Sequence, residues 1–420
     1  MIRLPAAKDP EVSVIVLLDG AVELAERCLA ALAGDPGVPA EVVILLNDPD
    51  EELERFVRGS TTGGKVVLSR ANAGPGVGWN LGGAVAEAPR LATMHEDSEP
   101  EPGWLRPLCE TMSETGAGAV GSRLFNADGS VQNCGWVLFS DAAHQPLNAA
   151  TAPEVAAASE PTPADMLSGA AMLVDREAAA AVGGWDERFF PAVFMDIDIS
   201  TAMWGLGRPV LSVPDSRVVH ASGTFDRRPN SLLTGPRLRL FLFERNRHRF
   251  TDKWGPAVTD LAPAPTDAEP ETIRAAVEAA LPHTRARLER VLGGAAAPSP
   301  PAQAEARFTG VAEPVVADGE GGYRVAPEVE SALRATEGEL IDDYLRWLIG
   351  REDEVSGHLA TAHDALAHQR RDIDRLNGAI EDLRRHNREL SAALDGLLNS
   401  RTWRLRTRAA RLLGREPASR

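Results

Sequence analysis

Cysteine is scarce. Only Cys28, Cys109 and Cys134 occur in 420 residues, an odd and scattered set that forms neither a disulfide frame nor a metal cluster and suits a reducing compartment. Long apolar runs are missing, and none approaches the ~18–20 residues of a membrane span. The opening MIRLPAAKDPEV lacks the charged-then-apolar pattern of a secretory signal. An excess of basic residues is missing too: the net charge is −17, which argues against nucleic acid as a partner. Together these absences predict a soluble, cytoplasmic protein, and the length predicts two or three units.

The N-terminal part is patterned. Val12–Leu18 (VSVIVLL) and Glu41–Leu46 (EVVILL) are apolar, β-branched runs of the kind found in buried parallel strands. Amphipathic helices follow each, with Leu24, Cys28, Leu29 and Leu32 on one face of the first, and KVVLS makes a third strand. Strand–helix–strand–helix–strand spacing implies right-handed crossovers and a parallel sheet. Ligands of such sheets bind at the carboxyl ends of the strands, which directs attention to residues 19–20, 47–50 and 70–82. The last of these, Arg70 to Gly82, reads as a glycine-rich loop before a helix. Dinucleotide binding would place such glycines after the first strand, and a plain close-approach turn explains the glycines but not Asn72 and Asn80.

The stretch from Asp165 to Phe225 is the most informative. MLSGAAMLV reads as a buried strand, DREAAAAV as a helix stopped by Gly183-Gly184, and Trp185–Phe190 as an aromatic segment. Then come Met195-Asp196-Ile197-Asp198, whose carboxylates sit in apolar surroundings where charge must be paired or used, a helix, a strand, and His220. The order Ser168-Gly169-Ala170, Gly183-Gly184-Trp185-Asp186-Glu187-Arg188-Phe189-Phe190, Asp196-Ile197-Asp198, Pro214-Asp215 and Val218-Val219-His220 resembles the catalytic domain of family 2 glycosyltransferases. These are inverting GT-A enzymes that include rhamnosyl- and galactofuranosyl-type transferases.

The resemblance implies an α/β fold, a GT-A (nucleotide-diphospho-sugar transferase) Rossmann-like domain over residues 1–262. It implies transfer of a sugar from a nucleoside diphosphate donor to an acceptor hydroxyl with inversion, in cell-surface polysaccharide or glycoconjugate assembly, the acceptor being a glycan or a lipid-linked glycan. Asp196 falls at the family's catalytic base and Asp198 is its understudy. Asn47, Asn72, Asn80 and Asp97 fall at nucleotide-contacting positions, and Asp97, His95 and His220 at the divalent-metal site, Mn²⁺ or Mg²⁺. Gly118, Gly121, Leu124, Gly129, Gln132 and Gly135 follow the spacing of a strand and hairpin with an architectural role, and residues 141–164 read as a mobile loop over the acceptor with His144 at the surface. The chain departs from the family at Leu46, Trp79, His95 and Met195. His95 replaces an oxygen ligand and favours Mn²⁺ over Mg²⁺. These departures also support a reading of another class, a weakened transferase fold serving as a coiled-coil scaffold.

After His220, Arg227, Arg228, Arg237 and Arg239 flank apolar residues, and Arg245-Asn246 resembles a family feature of the closing helix. Residues 263–335 are rich in Ala and Pro and read as a linker with one short helix. Residues 336–400 read as an α-helical coiled coil. Its a positions are Leu359, Leu366, Ile373, Ile380, Asn387 and Leu394, and its d positions are Val355, Ala362, Gln369, Leu376, Leu383, Leu390 and Leu397. This seam predicts a homodimer, with Asn387 setting a parallel register. Residues 401–420 form a basic amphipathic tail, read as a peripheral contact with an anionic membrane face or with protein.

Overall fold

The structure, a computed structural model, describes residues 1–221, 235–258, 260–294, 306–319 and 321–399, with the backbone alone at 256, 352–372, 374 and 393–399. The basic tail, Arg227, Arg228 and half of the heptad side chains lie outside the described residues. The chain divides into two compact units, Met1–Tyr344 and Leu345–Arg420.

The first unit is built on one mixed sheet. β1 (Val12–Leu18), α1 (Val22–Leu32), β2 (Ala40–Asn47), α2 (Glu51–Ser60) and β3 (Lys65–Ser69) occur in the predicted order, followed by α3 (Gly74–Val85) and β4 (Arg90–His95). β1 pairs in parallel with β2 and β4, and β2 with β3. The continuous apolar runs follow from burial on both faces. Val14, Val16 and Leu18 pack against α1 and α4 (Leu105–Thr115), whereas Ile15 and Leu17 face α3 and its neighbours. α2 starts at Asp50, whose carboxylate caps the Leu53 amide at 2.8 Å.

The glycines read as a loop are mostly helical. α3 begins at Gly74, so Gly76, Gly78, Trp79, Asn80 and Gly82 all lie within it. The reason is close approach to the sheet. A Cβ on Gly78 would come within 2.6 Å of Leu45, and one on Gly82 would collide with Ile15. Only Gly74 needs its backbone freedom, with φ +62° and the Pro191 carbonyl against it.

Beyond β4 the sheet turns antiparallel. β5 (Ser98–Pro100), β6 (Ala119–Phe125), β7 (Ala171–Asp175), α5 (Met195–Gly205) and β8 (Val210–His220) follow. β7 lies between β4 and β6, antiparallel to both, and β8 runs parallel to β6. The β8–β6 pairing breaks between Val213 and Arg217, and the end of β8 then pairs with β5, placing His220 opposite Ser98. α6 (Pro236–Val258) packs behind the segment before α5.

Residues 263–335, expected as a linker, are instead largely part of this unit. α7 (Pro270–Leu292) buries Val277, Ala280 and Leu281 against Val137, Phe139 and Leu147. It is pinned by Asp165, which accepts from Thr284 and Arg287, each at 3.0 Å. β9 (Val315–Ala317) and β10 (Tyr323–Val325) extend the central sheet, β10 pairing in parallel with β3. α8 (Pro327–Asn399) then begins, burying Val329 and Leu333 in the first unit. Residues 141–164, expected as a loop, carry the short strand His144–Pro146 and the helix Pro153–Ala156. His144 is not a surface residue but is packed among Trp136, Phe194 and Phe243. All three cysteines are buried and unpaired. No helix among the described residues is long and apolar enough to cross a membrane.

In the second unit α8 continues as a single helix. Ile373, Leu376, Ile380, Leu383 and Leu390 are 45–68% exposed along it, and Asn387 is exposed in the same stretch.

Candidate active site

The site gathers where β4 ends. His95 is the last residue of that strand, Asp97 sits in the turn to β5, and the β5–β8 pairing carries His220 across to it. The Ala221 amide donates to the Asp97 carbonyl at 2.9 Å, fixing this crossing. One ligand atom from each of His95, Asp97 and His220 lies within 4.8 Å of the others.

Each of these side chains is prepared for a cation. Gln132 donates to the His220 carbonyl at 2.9 Å and to Asn126 at 3.0 Å, which leaves its Oε1 to face His220 Nδ1 at 2.7 Å. That contact requires Nδ1–H and turns Nε2 toward Asp97, 3.3 Å away. Burial pushes the His95 imidazole down to about 4, against the pull of Asp97, so it is neutral at physiological pH. Its buried Nε2 has no hydrogen-bond partner. Two imidazole nitrogens and a carboxylate form a donor set that fits a divalent first-row cation. Gln132 was expected to be architectural, and its orienting role has no sequence signal beyond the hairpin.

Next to this cluster lies a polar network that spacing did not reveal. Glu96 turns away from the metal side and accepts the amides of Asp19 (3.0 Å) and Gly20 (2.9 Å). Burial and the Asp19 charge push its carboxyl up to about 7. Asn47, wholly buried, donates to Asp19 (3.3 Å) and to Asn72 (3.1 Å) and accepts the Ala73 amide (2.7 Å). It ties the turn after β1 to the start of α3. Asn72, half-buried, also caps Gly74 at 3.0 Å. Asn80 does not join this network, because both ends of its amide are spent on the Trp185 main chain, at 2.8 and 3.0 Å. Leu46 is buried in the core.

The two candidate base carboxylates separate sharply. Asp196 lies in the first turn of α5, where its Oδ2 accepts the Gly169 amide at 3.1 Å and its Oδ1 has no hydrogen-bond partner. Burial pushes it up to about 6, opposed by that amide. Asp198 is fully buried and committed to packing: Lys253 lies 2.7 Å away and Trp254 Nε1 donates at 2.6 Å. Lys253 also pairs with Asp186 at 2.8 Å. Burial raises Asp198 despite the ammonium. At Asp186 burial works the same way, but Arg188 and Lys253 outweigh it and hold the carboxyl at about 2. Asp198 thus anchors α5 to α6 and is closed to substrate.

Trp79 connects the two halves of the site. Its indole stacks on His95, centroids 5.8 Å apart and planes 11° from parallel, and its far edge lies against Gly169 beside Asp196. A side chain on Gly169 would strike both Trp79 and Asp196. The turn into α5 holds Val193 and Phe194 at φ +65° and +73°, a strain balanced by Asn246, whose amide donates to the carbonyls of Phe189, Ala192 and Val193. Arg245 donates to the Phe190 carbonyl beside it.

Residues 13–183 match the family model "Glycosyl transferase family 2". No curated protein matches the chain. Among solved structures, GalNAc-T7 with UDP, GalNAc and Mn²⁺ is 16% identical with a TM-score of 0.44, over 64% of this chain and 54% of that one. The chain therefore spans about half the length of that relative. The mannosyltransferase PcManGT from Pyrobaculum calidifontis, in complex with GDP-Man and Mn²⁺, is 16% identical with a TM-score of 0.41, over 69% and 76%. S. aureus TarS 1–349 in complex with UDP is 13% identical with a TM-score of 0.38, over 58% and 66%. The family match thus lies within the mixed α/β unit built on the central sheet and covers residues 13–183, less than half of the chain.

Proposed function

We propose that the protein is an inverting glycosyltransferase that moves a sugar from a nucleoside diphosphate donor to an acceptor hydroxyl. The observation that carries this reading is the pairing of a cation-ready cluster, His95, Asp97 and His220, with the separate carboxylate Asp196 across the Trp79 indole. Inversion takes one in-line displacement, so it needs one base and one stabiliser of the leaving group. Asp196, held at about 6, is ionised at neutral pH and takes the proton of the acceptor hydroxyl. Asn72 and the Asp19–Gly20 turn border the nucleotide, with Asn47 and Glu96 bracing them. His95, Asp97 and His220 hold a divalent cation, which when bound offsets the charge growing on the departing diphosphate.

The finer reading places the enzyme in the rhamnosyl- or galactofuranosyl-type branch, at the cytoplasmic side of cell-surface polysaccharide or glycoconjugate assembly. The exposed Ile373, Leu376, Ile380, Leu383 and Leu390 follow the heptad seam and support a parallel coiled-coil homodimer. The tail beyond residue 400 then reaches a membrane face where a lipid-linked acceptor resides.

The test is to incubate full-length protein with a panel of UDP-, GDP- and dTDP-sugars, with Mn²⁺ or Mg²⁺, and follow nucleoside diphosphate release and anomeric configuration by NMR. Turnover with inversion, faster in Mn²⁺ than in Mg²⁺ and lost in Asp97→Ala, is the expected result. Retention of configuration, or turnover untouched by Asp97→Ala, would sink it. Binding of no nucleotide sugar would favour the scaffold reading.

A further inference from the structure

A cavity of about 320 Å³ lies in the first unit, away from the catalytic cluster, within the size range of small-molecule pockets. His95, Asp97, Asp196 and His220 are all absent from its lining. Four arginines border it: Arg245 and Arg249, one turn apart on α6, Arg188 from the segment before α5, and Arg307. Arg245 and Arg249 are partly buried, and among the described residues neither has a carboxylate within 4 Å. Burial pushes the Arg245 guanidinium down to about 9, helped by the charge of Arg249, and it lowers Arg249 as well.

Five acids line the cavity as well, and three of them are committed to other partners. Asp186 is engaged by Arg188 and Lys253, Glu187 by the Phe308 and Thr309 amides, and Glu339 by Arg307. Asp252 and Asp343 are exposed, and Asp343 has to serve both Arg245 and Arg249. Buried like charges without close counter-ions are unfavourable unless an anion joins them. Each guanidinium has five N–H donors. The bonds found for Arg245 go to the Phe190 carbonyl and Asn246, and that for Arg249 to the Arg188 carbonyl. Donors therefore remain on both.

We propose that this cavity binds the phosphate group of a small organic phosphate between Arg245 and Arg249, with Arg188 alongside. A tetrahedral phosphate, with three terminal oxygens, can accept from several guanidinium forks at once. The volume exceeds that of the bare anion and leaves room for an organic part. The same arginines hold the carbonyls of Arg188 and Phe190, so an occupant bears on the segment that leads to Asp196.

The test uses the full chain carrying Asp97→Asn in chelator, which silences the catalytic cluster. Inorganic phosphate, glucose 1-phosphate and a short-chain prenyl phosphate in detergent micelles are each titrated by calorimetry against sodium chloride of matched ionic strength. Saturable phosphate binding should weaken roughly tenfold or more in Arg249→Gln and less in Arg249→Lys, which keeps the charge but loses the fork. Prenyl phosphate binding far more tightly than the soluble probes would make the source a lipid headgroup, and tighter glucose 1-phosphate a soluble metabolite. No saturation beyond the salt control, or equal affinity in Arg249→Gln, overturns the site. Should Arg249→Gln misfold by near-UV circular dichroism, phenylglyoxal labelling of the unmutated arginines decides. Phosphate must then protect Arg245 and Arg249, and unprotected labelling of both rejects the proposal.

Discussion

A carboxyl held at about 6, like that of Asp196, changes charge at the acid edge of the physiological range. As the proposed base, Asp196 makes kcat/KM fall as pH drops through about 6, and Asp196→Asn should lower kcat by ~10²–10⁴ while donor binding survives. The same burial affects stability with a definite sign. In the folded chain the proton is held up to about 6, against an ordinary 3.8. This group therefore adds stability below about pH 4, and that stability is lost as pH rises through about 6. Asp196→Asn should accordingly raise Tm at pH 8, by roughly 1–3 kcal/mol of stability, with the gain shrinking at pH 4. A variant that is both slower and less stable at pH 8 would refute the assignment. Gln132→Leu frees the His220 ring, and titration with Mn²⁺ should show affinity reduced by about 10-fold or more. The sequence made residue types and order legible but not the direction in which a side chain points. Asp196 and Asp198 are indistinguishable on paper, and only the place of Lys253 and Trp254, some 55 residues later, separates them. Asn80 matched a motif for the same reason that Trp185 needs its amide.

At the scale of elements, the pair α5–α6 depends on one ammonium between two buried carboxylates, Lys253 with Asp186 and Asp198. Lys253→Met leaves both acids without that counter-charge, and chemical denaturation should record a loss of about 3–5 kcal/mol. A smaller loss would mean that Trp254 and Arg188 compensate. The strands β1, β2 and β3 were readable because burial on both faces leaves a continuous apolar run. The start of α3 was not, since its glycines serve contact with Leu17, Leu45 and Ile15 rather than a loop. α7 was readable as a helix but not as part of the first unit, because it buries only Val277, Ala280, Leu281 and Thr284, too few apolar positions to stand out in alanine-rich surroundings.

At the scale of the whole molecule, the exposed heptad seam sets the expected assembly. Ile380 and Leu383, 45% and 68% exposed, occupy an a and a d position. Full-length protein should run as a dimer in light scattering, and Ile380→Glu combined with Leu383→Glu should yield a monomer with the first unit intact by circular dichroism. A wild-type monomer at micromolar concentration would remove the homodimer. Removing the C-terminal region to test this is less clean than the sequence suggested, because the edge of β3 is completed by β10, with Tyr323 paired to Val67 and Arg324 to Leu68. That pairing also has a consequence in time. The two strands are separated by roughly 250 residues, and at ~5–20 residues per second a ribosome needs on the order of 10–50 s to supply the second after the first. Throughout that interval the nascent sheet presents a bare parallel edge, a template for unwanted pairing. A chaperone that shields strand edges should therefore crosslink to the nascent chain near β3, and that crosslinking should diminish once Val325 has cleared the exit tunnel.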